Sequence, residues 1–382
     1  MRLLHTIILL LTLVRSSAAD CQENNQQNQG DLKGFDSLAA LGESILSRLT
    51  FESDQGIWTV YPAGGYSQRT GLEFGLMPVY SWKNLKRETP VGTVNTLSSS
   101  LQFSTKGMVE LRSELDWYHS PDWQLSVRLE ALRIHDQYWD AWSLPQSNTA
   151  NNYEAKRLGL KMQVLRHAGH RIYTGLHTQV WHHQFKPEDA DASFGGHTGS
   201  SGDWLTGAGP VIVMDRRDHV LYPRRGSYMQ ASWTLFTHEK GNVYQNYLMD
   251  FRHFIDAGKP VVALQGLWEY ASGNLPFYGL PLLGGKDRLR GIGHSKRVVD
   301  QAVWLLRGEL RMPLWWRFGA VAFVETGQAS ARPSFDWNEL IFSQGGGLRF
   351  RILPKEPLHI RVDVAWSSAG TQGLFISLKE AF

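Results

Sequence analysis

The sequence predicts an all-β fold, a transmembrane antiparallel β-barrel of about 16 strands. Period-2 alternation of apolar and polar residues recurs in segments of about 10 to 13 residues, the length that a tilted strand needs to cross a bilayer. Trp, Tyr and Phe make up 12% of the 382 residues, which is typical of the aromatic girdles of such barrels or of a carbohydrate-binding surface. After residue 19 no apolar run reaches the roughly 18 residues that a transmembrane helix requires.

The N-terminus has the layout of a secretory signal peptide over residues 1–19. Arg2 forms a basic n-region, Ile7 to Val14 form an apolar h-region, and Ser17-Ala18-Ala19 forms a small-residue cleavage site. Cys21 is the only cysteine, so an intrachain disulfide is excluded. We therefore expect an exported protein whose fold is stable without a disulfide.

Residues 20–55 are predicted to form a polar, partly disordered periplasmic segment. The tract from Gln22 to Gln29 has almost no side chain to bury. One short amphipathic helix is expected after Asp36-Ser37, because apolar residues then recur at helical spacing, at Leu38, Leu41, Ile45, Leu46 and Leu49. Residues 56–382 are predicted to form the barrel.

The barrel prediction is built from segments of alternating residues. In Val109–Trp117, for example, apolar residues hold the odd positions and charged residues most of the even ones. An even number of strands is what a closed antiparallel barrel of one chain requires. The predicted strands cover residues 56–68, 71–82, 93–104, 108–119, 123–136, 153–166, 170–183, 204–216, 227–237, 243–256, 261–272, 301–312, 316–327, 342–352, 357–366 and 373–382.

Alternation alone does not say which face is buried, so a soluble β-sandwich is an open alternative. Two features favour the membrane barrel. The segments are longer than the usual 5 to 6 residues of soluble strands. Minimal connections at residues 120–122 and 168–169 contrast with long ones at residues 140–152 and 187–203, the arrangement of short turns and long loops seen in outer-membrane barrels.

The charge balance excludes one class of partner. The chain has 39 Lys and Arg against 36 Asp and Glu, without the basic excess that phosphate binding demands. Nucleic acid is therefore not an expected partner.

Motifs in the C-terminal half carry a resemblance to a known family. The segment Leu280–Gly293 is rich in glycine and basic residues, and Gly308-Glu309-x-Arg311 and Phe323-x-Glu325-x-Gly327 follow it. In this order they resemble the BamA/TamA-type superfamily of outer-membrane β-barrels, also called the bacterial surface antigen family. The resemblance implies 16 strands, a sixth outer loop at Leu280–Gly293 that folds inward, and a multi-pass barrel in a Gram-negative outer membrane.

Further motif positions extend the resemblance over residues 204–382. Residues 56–203 resemble the family mainly through their strand pattern, and we expect a short member without the family's periplasmic modules. The remaining motif positions are Asp215, Arg217, Pro223, Gly226, Arg361, Asp363 and Phe382. Phe382 ends the predicted last strand on the same alternating, lipid-facing side as Leu374, Ile376 and Leu378.

The sixth loop contains the candidate site. In relatives, the arginine at the position of Arg290 in Arg290-Gly291-Ile292 meets an acidic group, which by motif position is Glu325, with Glu309 nearby. Parity along the strands predicts a charged interior that could receive the loop. Two departures are Ile292, where relatives usually have Phe or Tyr, and Glu325, where they have Asp. The charged side chains predicted to face the interior are Arg307, Glu309, Arg311, Glu325, Arg349, Arg351, Arg361 and Asp363.

The resemblance implies assembly of other barrels or protein export. Without periplasmic modules, we expect a stand-alone barrel in outer-membrane biogenesis or homeostasis that inserts or translocates protein or lipid. Outer-membrane lipids are the expected partners, and a periplasmic or barrel partner protein and a homodimer are open alternatives.

The alternative function is a channel, because about 16 strands leave room for a water-filled lumen. An outer-membrane lipase is disfavoured because His294-Ser295 lack a recognisable triad, so no enzyme, metal or cofactor is expected.

Overall fold

The computed structural model describes residues 49–53, 56–82, 95–142, 151–188, 198–239, 241–293, 298–351, 359–378 and 380–382. The signal peptide and nearly all of the predicted amphipathic helix lie outside these residues. Among the described residues no helix is long and apolar enough to span a bilayer.

Seventeen strands are found in the described part of the chain. The first, β1 (Thr50–Ser53), was not predicted. The others agree with the predicted segments within a few residues at each end, apart from the last. They are β2 (Gly56–Ser67), β3 (Gly71–Trp82), β4 (Asn95–Ser104), β5 (Val109–Ser120), β6 (Trp123–Tyr138), β7 (Asn151–Gly169), β8 (Ile172–Pro187), β9 (Asp203–Asp215), β10 (Gly226–His238), β11 (Val243–Asp256), β12 (Val261–Gly273), β13 (Ala302–Pro313), β14 (Phe318–Ser330), β15 (Ile341–Arg351), β16 (His359–Ser367) and β17 (Gln372–Leu378).

Strands β2 to β17 form a closed antiparallel barrel of 16 strands. Each pairs with its neighbours in the chain, β9 pairs with β10, and β17 pairs with β2 at Ile376 and Tyr66. Closure leaves every one of these strands with a partner on both sides, which satisfies the backbone where water is absent. The predicted fold class and strand number are confirmed.

The connections differ between the two ends of the barrel. At one end, the short-turn end, β7 and β8 are joined through His170 and Arg171, whose positive φ values of 52° and 60° form the tight turn. At the other, the long-loop end, residues 274–301 join β12 to β13. The predicted separation of short turns from long loops is therefore confirmed for these connections.

The burial pattern is the reverse of that in a soluble sheet. Leu306, Val324 and Leu348 are 55%, 60% and 57% exposed, whereas Glu309 and Asp363 on the opposite face of the sheet are 2% and 0% exposed. A soluble β-sandwich would bury the apolar face. In a membrane barrel the apolar face contacts lipid, so the pattern supports a barrel in lipid with a charged interior.

Aromatic side chains gather on the outer face near both ends. Trp58 stacks on Tyr80 with ring centroids 4.8 Å apart, near the short-turn end. Near the long-loop end, Trp304 stacks on Phe335 at 5.3 Å, and Trp337 is 77% exposed. These groups lie where a bilayer has its two interfaces, which is where barrels carry aromatic girdles.

The last strand differs from the prediction. We expected residues 373–382 to form one strand with Phe382 on its lipid-facing side, but β17 ends at Leu378. Phe382 is 7% exposed, belongs to the same apolar cluster as Phe254 and Ala263, and accepts a hydrogen bond from Arg311 at its carbonyl. The aromatic ring and its charged neighbours therefore draw the last residues away from the strand direction.

Candidate functional site

The β12–β13 loop (residues 274–301) is built from turns and short bridges. Its described residues include a 3₁₀ turn at Phe277–Gly279 and bridges between Leu282 and Val299 and between Gly284 and Leu289. Gly285 has a φ of +123°, which a residue with a Cβ rarely adopts, and allows the chain to reverse. Residues 286–289 consequently form a compact tip.

Apolar side chains of the loop fix it to the barrel wall. Leu289 and Ile292 are 0% and 2% exposed. Ile292 therefore occupies a buried position, although relatives usually have an aromatic residue there. The whole apolar cluster consists of Leu283, Leu289, Ile292, Val298, Val303, Leu305, Ala329 and Ile341.

Arg290 is bound by three carboxylates from three different strands. Its guanidinium lies 2.7 Å from Glu309 of β13, 2.7 Å from Glu325 of β14 and 3.0 Å from Asp363 of β16. The backbone N–H of Arg290 also donates to Glu325 at 2.7 Å. All four side chains are fully buried. Each charged group has therefore lost its contact with water and gained oppositely charged partners.

The same guanidinium lies 3.4 Å from the ring centroid of Phe323, which covers it with an electron-rich face. Burial acts to lower the pKa of Arg290, but the carboxylates of Glu309, Glu325 and Asp363 outweigh it, so the pKa lies above its ordinary value. The arginine therefore stays charged, and its ionic attachment lasts as long as the carboxylates around it are ionised.

Neighbouring arginines complete the network. Arg311 donates to Glu309 at 2.9 Å, and Arg349 lies 2.5 Å from Asp363 and 2.8 Å from Glu380. Two of the three carboxylates around Arg290 are thus each shared with a second guanidinium. A buried charge cluster is tolerated only when each charged group has oppositely charged partners. Of the three carboxylates, Glu325 therefore depends most on Arg290 itself.

Glycines of β15 create the space for the site. Gly345 pairs with Phe323 and Gly347 pairs with Asp363 across the sheet. A Cβ at either glycine would overlap the aromatic ring or the carboxylate, respectively. The glycine run therefore allows Phe323 and Asp363 to reach Arg290.

The tip of the loop is attached by a second ion pair. Arg361 donates to the Asp287 carboxylate at 2.7 Å and to the Lys286 carbonyl at 3.1 Å. The Asp287 side chain is 58% exposed. The surrounding protein partly desolvates the carboxylate, which acts to raise its pKa, but the Arg361 guanidinium and nearby Lys286 prevail and lower it.

We expect an Asp287→Asn variant to have a more mobile loop tip at neutral pH. Because the folded pKa of Asp287 is lowered, its ion pair is fully present above the ordinary aspartate pKa of about 3.9 and is lost as the pH falls through the lowered value. A spin label at Lys286→Cys, with Cys21→Ser, should report greater mobility in the variant at pH 7. The two proteins should converge at low pH, and an equal difference at all pH values would contradict this assignment.

The backbone of the loop lies directly against β15 and β17. The N–H of Gly291 donates to Ser343 at 2.9 Å, and Thr371 donates to the Gly291 carbonyl at 2.7 Å. A Cβ at Gly373 would overlap the carbonyl oxygen of Arg290. The loop backbone therefore lies closer to β17 than any residue with a side chain at position 373 would allow.

A Gly373→Ala variant should displace the loop at a cost of about 1 to 3 kcal/mol, the usual range for overpacking. Cleavage of residues 285–293 by proteinase K should become faster. The matched control is Gly308→Ala, because a Cβ there meets only side-chain atoms at 3.7 and 3.9 Å. Similar cleavage rates in the two variants would argue against the close approach.

Two other predicted site residues lie on the inner wall beside the loop. Arg361 contacts the loop tip through the Asp287 carboxylate and the Lys286 carbonyl. Gly327 lies against the loop, since a Cβ there would be 2.7 Å from Leu283. The structure thus brings Arg290, Gly291, Ile292, Glu309, Glu325, Arg311, Gly327, Arg361 and Asp363 together.

The remaining motif residues lie at the short-turn end. Arg217 binds Asp215 through two hydrogen bonds of 2.9 and 2.6 Å. Pro223 is buried, and Gly226 has a φ of +105° at the start of β10. These residues shape the β9–β10 turn and do not contact Arg290 within the described part of the chain.

Sequence reasoning missed several members of the site. Asp287 was not expected to bind Arg361, and Phe323, Ser343 and Thr371 were not expected to contact the loop. Phe323 could have been found from its interior parity with Glu325. Among the described residues no group of three or more His, Cys, Asp or Glu side chains is arranged to bind a metal.

Comparisons with known proteins agree with this architecture. Residues 84–373 match the model of the Omp85 superfamily domain. BamA from Haemophilus ducreyi lacking POTRA domains 1–3 is similar in fold at a TM-score of 0.58 and 16% identity, over 84% of this chain and 70% of that one.

CdiB from Acinetobacter baumannii has a TM-score of 0.56 at 9% identity, over 86% of this chain and 60% of that one. CdiB from Escherichia coli has a TM-score of 0.56 at 12% identity, over 84% and 63%. This chain thus spans less than two thirds of either CdiB protein. No curated protein matches the sequence.

Proposed function

Because this chain belongs to the Omp85 superfamily and is an outer-membrane β-barrel, we propose that it acts in outer-membrane biogenesis or homeostasis by inserting or translocating protein or lipid. The observation that carries the proposal is the ionic attachment of Arg290 to Glu309, Glu325 and Asp363. In this proposal, a loop attached in this way occupies part of the interior that a simple open pore would leave clear.

In this proposal the β12–β13 loop folds into the barrel and supports the wall formed by β13 to β17. Its contacts join strands that are not neighbours, because Glu309 and Asp363 lie on β13 and β16. The loop then keeps this half of the barrel rigid while a client contacts the rest. We propose no catalytic residue and no cofactor.

Outer-membrane lipids are the proposed first partner, because the exposed apolar face of the barrel must contact them. A periplasmic or barrel partner protein would supply client recognition, and a homodimer is another assembly compatible with the barrel. Purification from native membranes without harsh detergent, followed by mass spectrometry of the intact assembly, would identify these partners.

The proposal is tested in the bacterium that encodes the chain. Deletion should change the level of other outer-membrane barrels or the lipid composition of the outer membrane. Wild-type protein should restore both, Lys286→Ala should restore them equally, and Arg290→Ala should restore them poorly. A deletion strain with unchanged barrels and lipids would contradict the proposal.

The second candidate is a channel, favoured by a cavity of about 1040 Å³ beside the loop. It is lined by strands β5 to β12 and by loop residues such as Pro281 and Arg288. Planar-bilayer recordings should compare the wild type with Arg290→Ala and with a variant lacking residues 285–291. Large, steady conductance in the wild type would favour the channel, whereas conductance only after loss of the loop would favour the first proposal.

A further inference from the structure

The part of the interior that the β12–β13 loop leaves open contains an aromatic residue between two cations. Trp181 of β8 lies over Gly159 of β7, where a Cβ would overlap the indole. The Arg157 guanidinium lies 5.3 Å and the Lys161 ammonium 5.2 Å from the ring centroid of Trp181. Gly159 thus permits the indole to rest on the wall between two positive charges.

This group faces the cavity of about 1040 Å³, whose lining includes Arg157, Lys161, Gln163, Gln179 and Trp181. The volume is near the upper end of typical ligand sites, about 300 to 1,000 Å³. The Trp181 indole is held in place by a hydrogen bond of 2.9 Å to Gln179. The platform is therefore preformed.

The two cations differ in their partners. Arg157 donates to Glu130 at 2.7 Å. Lys161 has no ion-pair partner among the residues that the structure describes, and the residue opposite it on β6 is another cation, Arg128. A positive charge on this wall is therefore available to an incoming anion.

We propose that this platform binds an anionic saccharide, a chain of sugar rings that carries carboxylate or phosphate groups. The C–H face of a pyranose ring is slightly positive and stacks on the negative face of an indole. The ammonium of Lys161 then binds the anionic group, and the amides of Gln163 and Gln179 bind hydroxyls. The inference does not depend on the proposed function.

An acidic peptide is the competing class of ligand. Peptides often bind by adding a strand to a sheet edge, but in this barrel each of β2 to β17 is already paired on both sides. Only side-chain contacts would remain for a peptide, whereas a sugar chain uses the stacking face directly. The saccharide is therefore the better match.

The test is calorimetric titration of the full-length protein in detergent with tetragalacturonate. Maltotetraose supplies the same number of sugar rings without charge, and tripolyphosphate and tetraglutamate supply charge without sugar. Tetragalacturonate should bind at least ten times more tightly than each of the other three. Equal or tighter binding of any of them would overturn the proposal, as would a failure of tetragalacturonate to bind.

Variants locate the site. Lys161→Gln and Trp181→Leu should each weaken tetragalacturonate binding by about tenfold or more, the effect of losing one charge-assisted contact or a stacking face. Lys156→Gln is the matched control, because Lys156 lies on the outer face of the same strand, beside Glu154 at 3.5 Å. Heat-modifiable gel mobility verifies that each variant is folded, and equal affinities in Lys161→Gln and Lys156→Gln would overturn the assignment.

Discussion

An Arg290→Ala variant is expected to keep its barrel but to lose the protection of the β12–β13 loop. The substitution leaves three buried carboxylates, of which Glu325 loses its main cationic partner. Breaking a buried ion pair by removing one partner costs about 3 to 5 kcal/mol. Residues 284–293 should then be cut by proteinase K at least tenfold faster than in the wild type, while heat-modifiable gel mobility persists.

Two further variants distinguish the loss of the Arg290 ion pairs from the effect of substituting any other residue of the loop. Lys286→Ala is the matched control, since Lys286 lies in the same loop with an exposed side chain, and its cleavage rate should equal that of the wild type. Arg290→Lys keeps the charge but not the planar fork that reaches several carboxylates, so its rate should be intermediate. If Arg290→Ala and Lys286→Ala were cut at the same rate, the ionic attachment of the loop would be refuted.

A Val324→Arg variant is expected to insert poorly into lipid. Val324 lies in the middle of β14 with its side chain 60% exposed on the apolar outer face. An arginine near the bilayer midplane of a barrel costs about 2 to 4 kcal/mol. Urea-dependent folding into phospholipid vesicles should show a loss of stability of this size.

Val220→Arg provides a stringent control for that measurement. Val220 is also exposed, at 49%, but it lies in the turn between β9 and β10, outside the strands. If the exposed face of β14 lay in water, both substitutions would be tolerated, whereas a β14 that faces lipid tolerates only Val220→Arg. Equal penalties would mean that the apolar face of β14 does not contact lipid.

The sequence by itself determined the strands and the sides that they present. Alternation with a period of two is a local property of an extended chain, so the apolar positions of segments such as Val109–Trp117 indicated one face without knowledge of the neighbours. The motif order also indicated that Arg290, Glu309 and Glu325 belong to one site. It placed Asp363 in the interior as a further motif position, but it did not show that this carboxylate, 73 residues from Arg290 along the chain, contacts the arginine.

Only the tertiary structure decided which interior side chains meet, because that depends on the register of strands distant in sequence and on the path of the loop. Phe323 and Asp363 reach Arg290 because Gly345 and Gly347 of β15 leave them room. The position of the C-terminal residues could not be predicted from the sequence for the same reason. Parity placed Phe382 on the lipid face, but parity holds only while the strand continues, and after Leu378 contacts with Phe254 and Arg311 determine the direction of the chain.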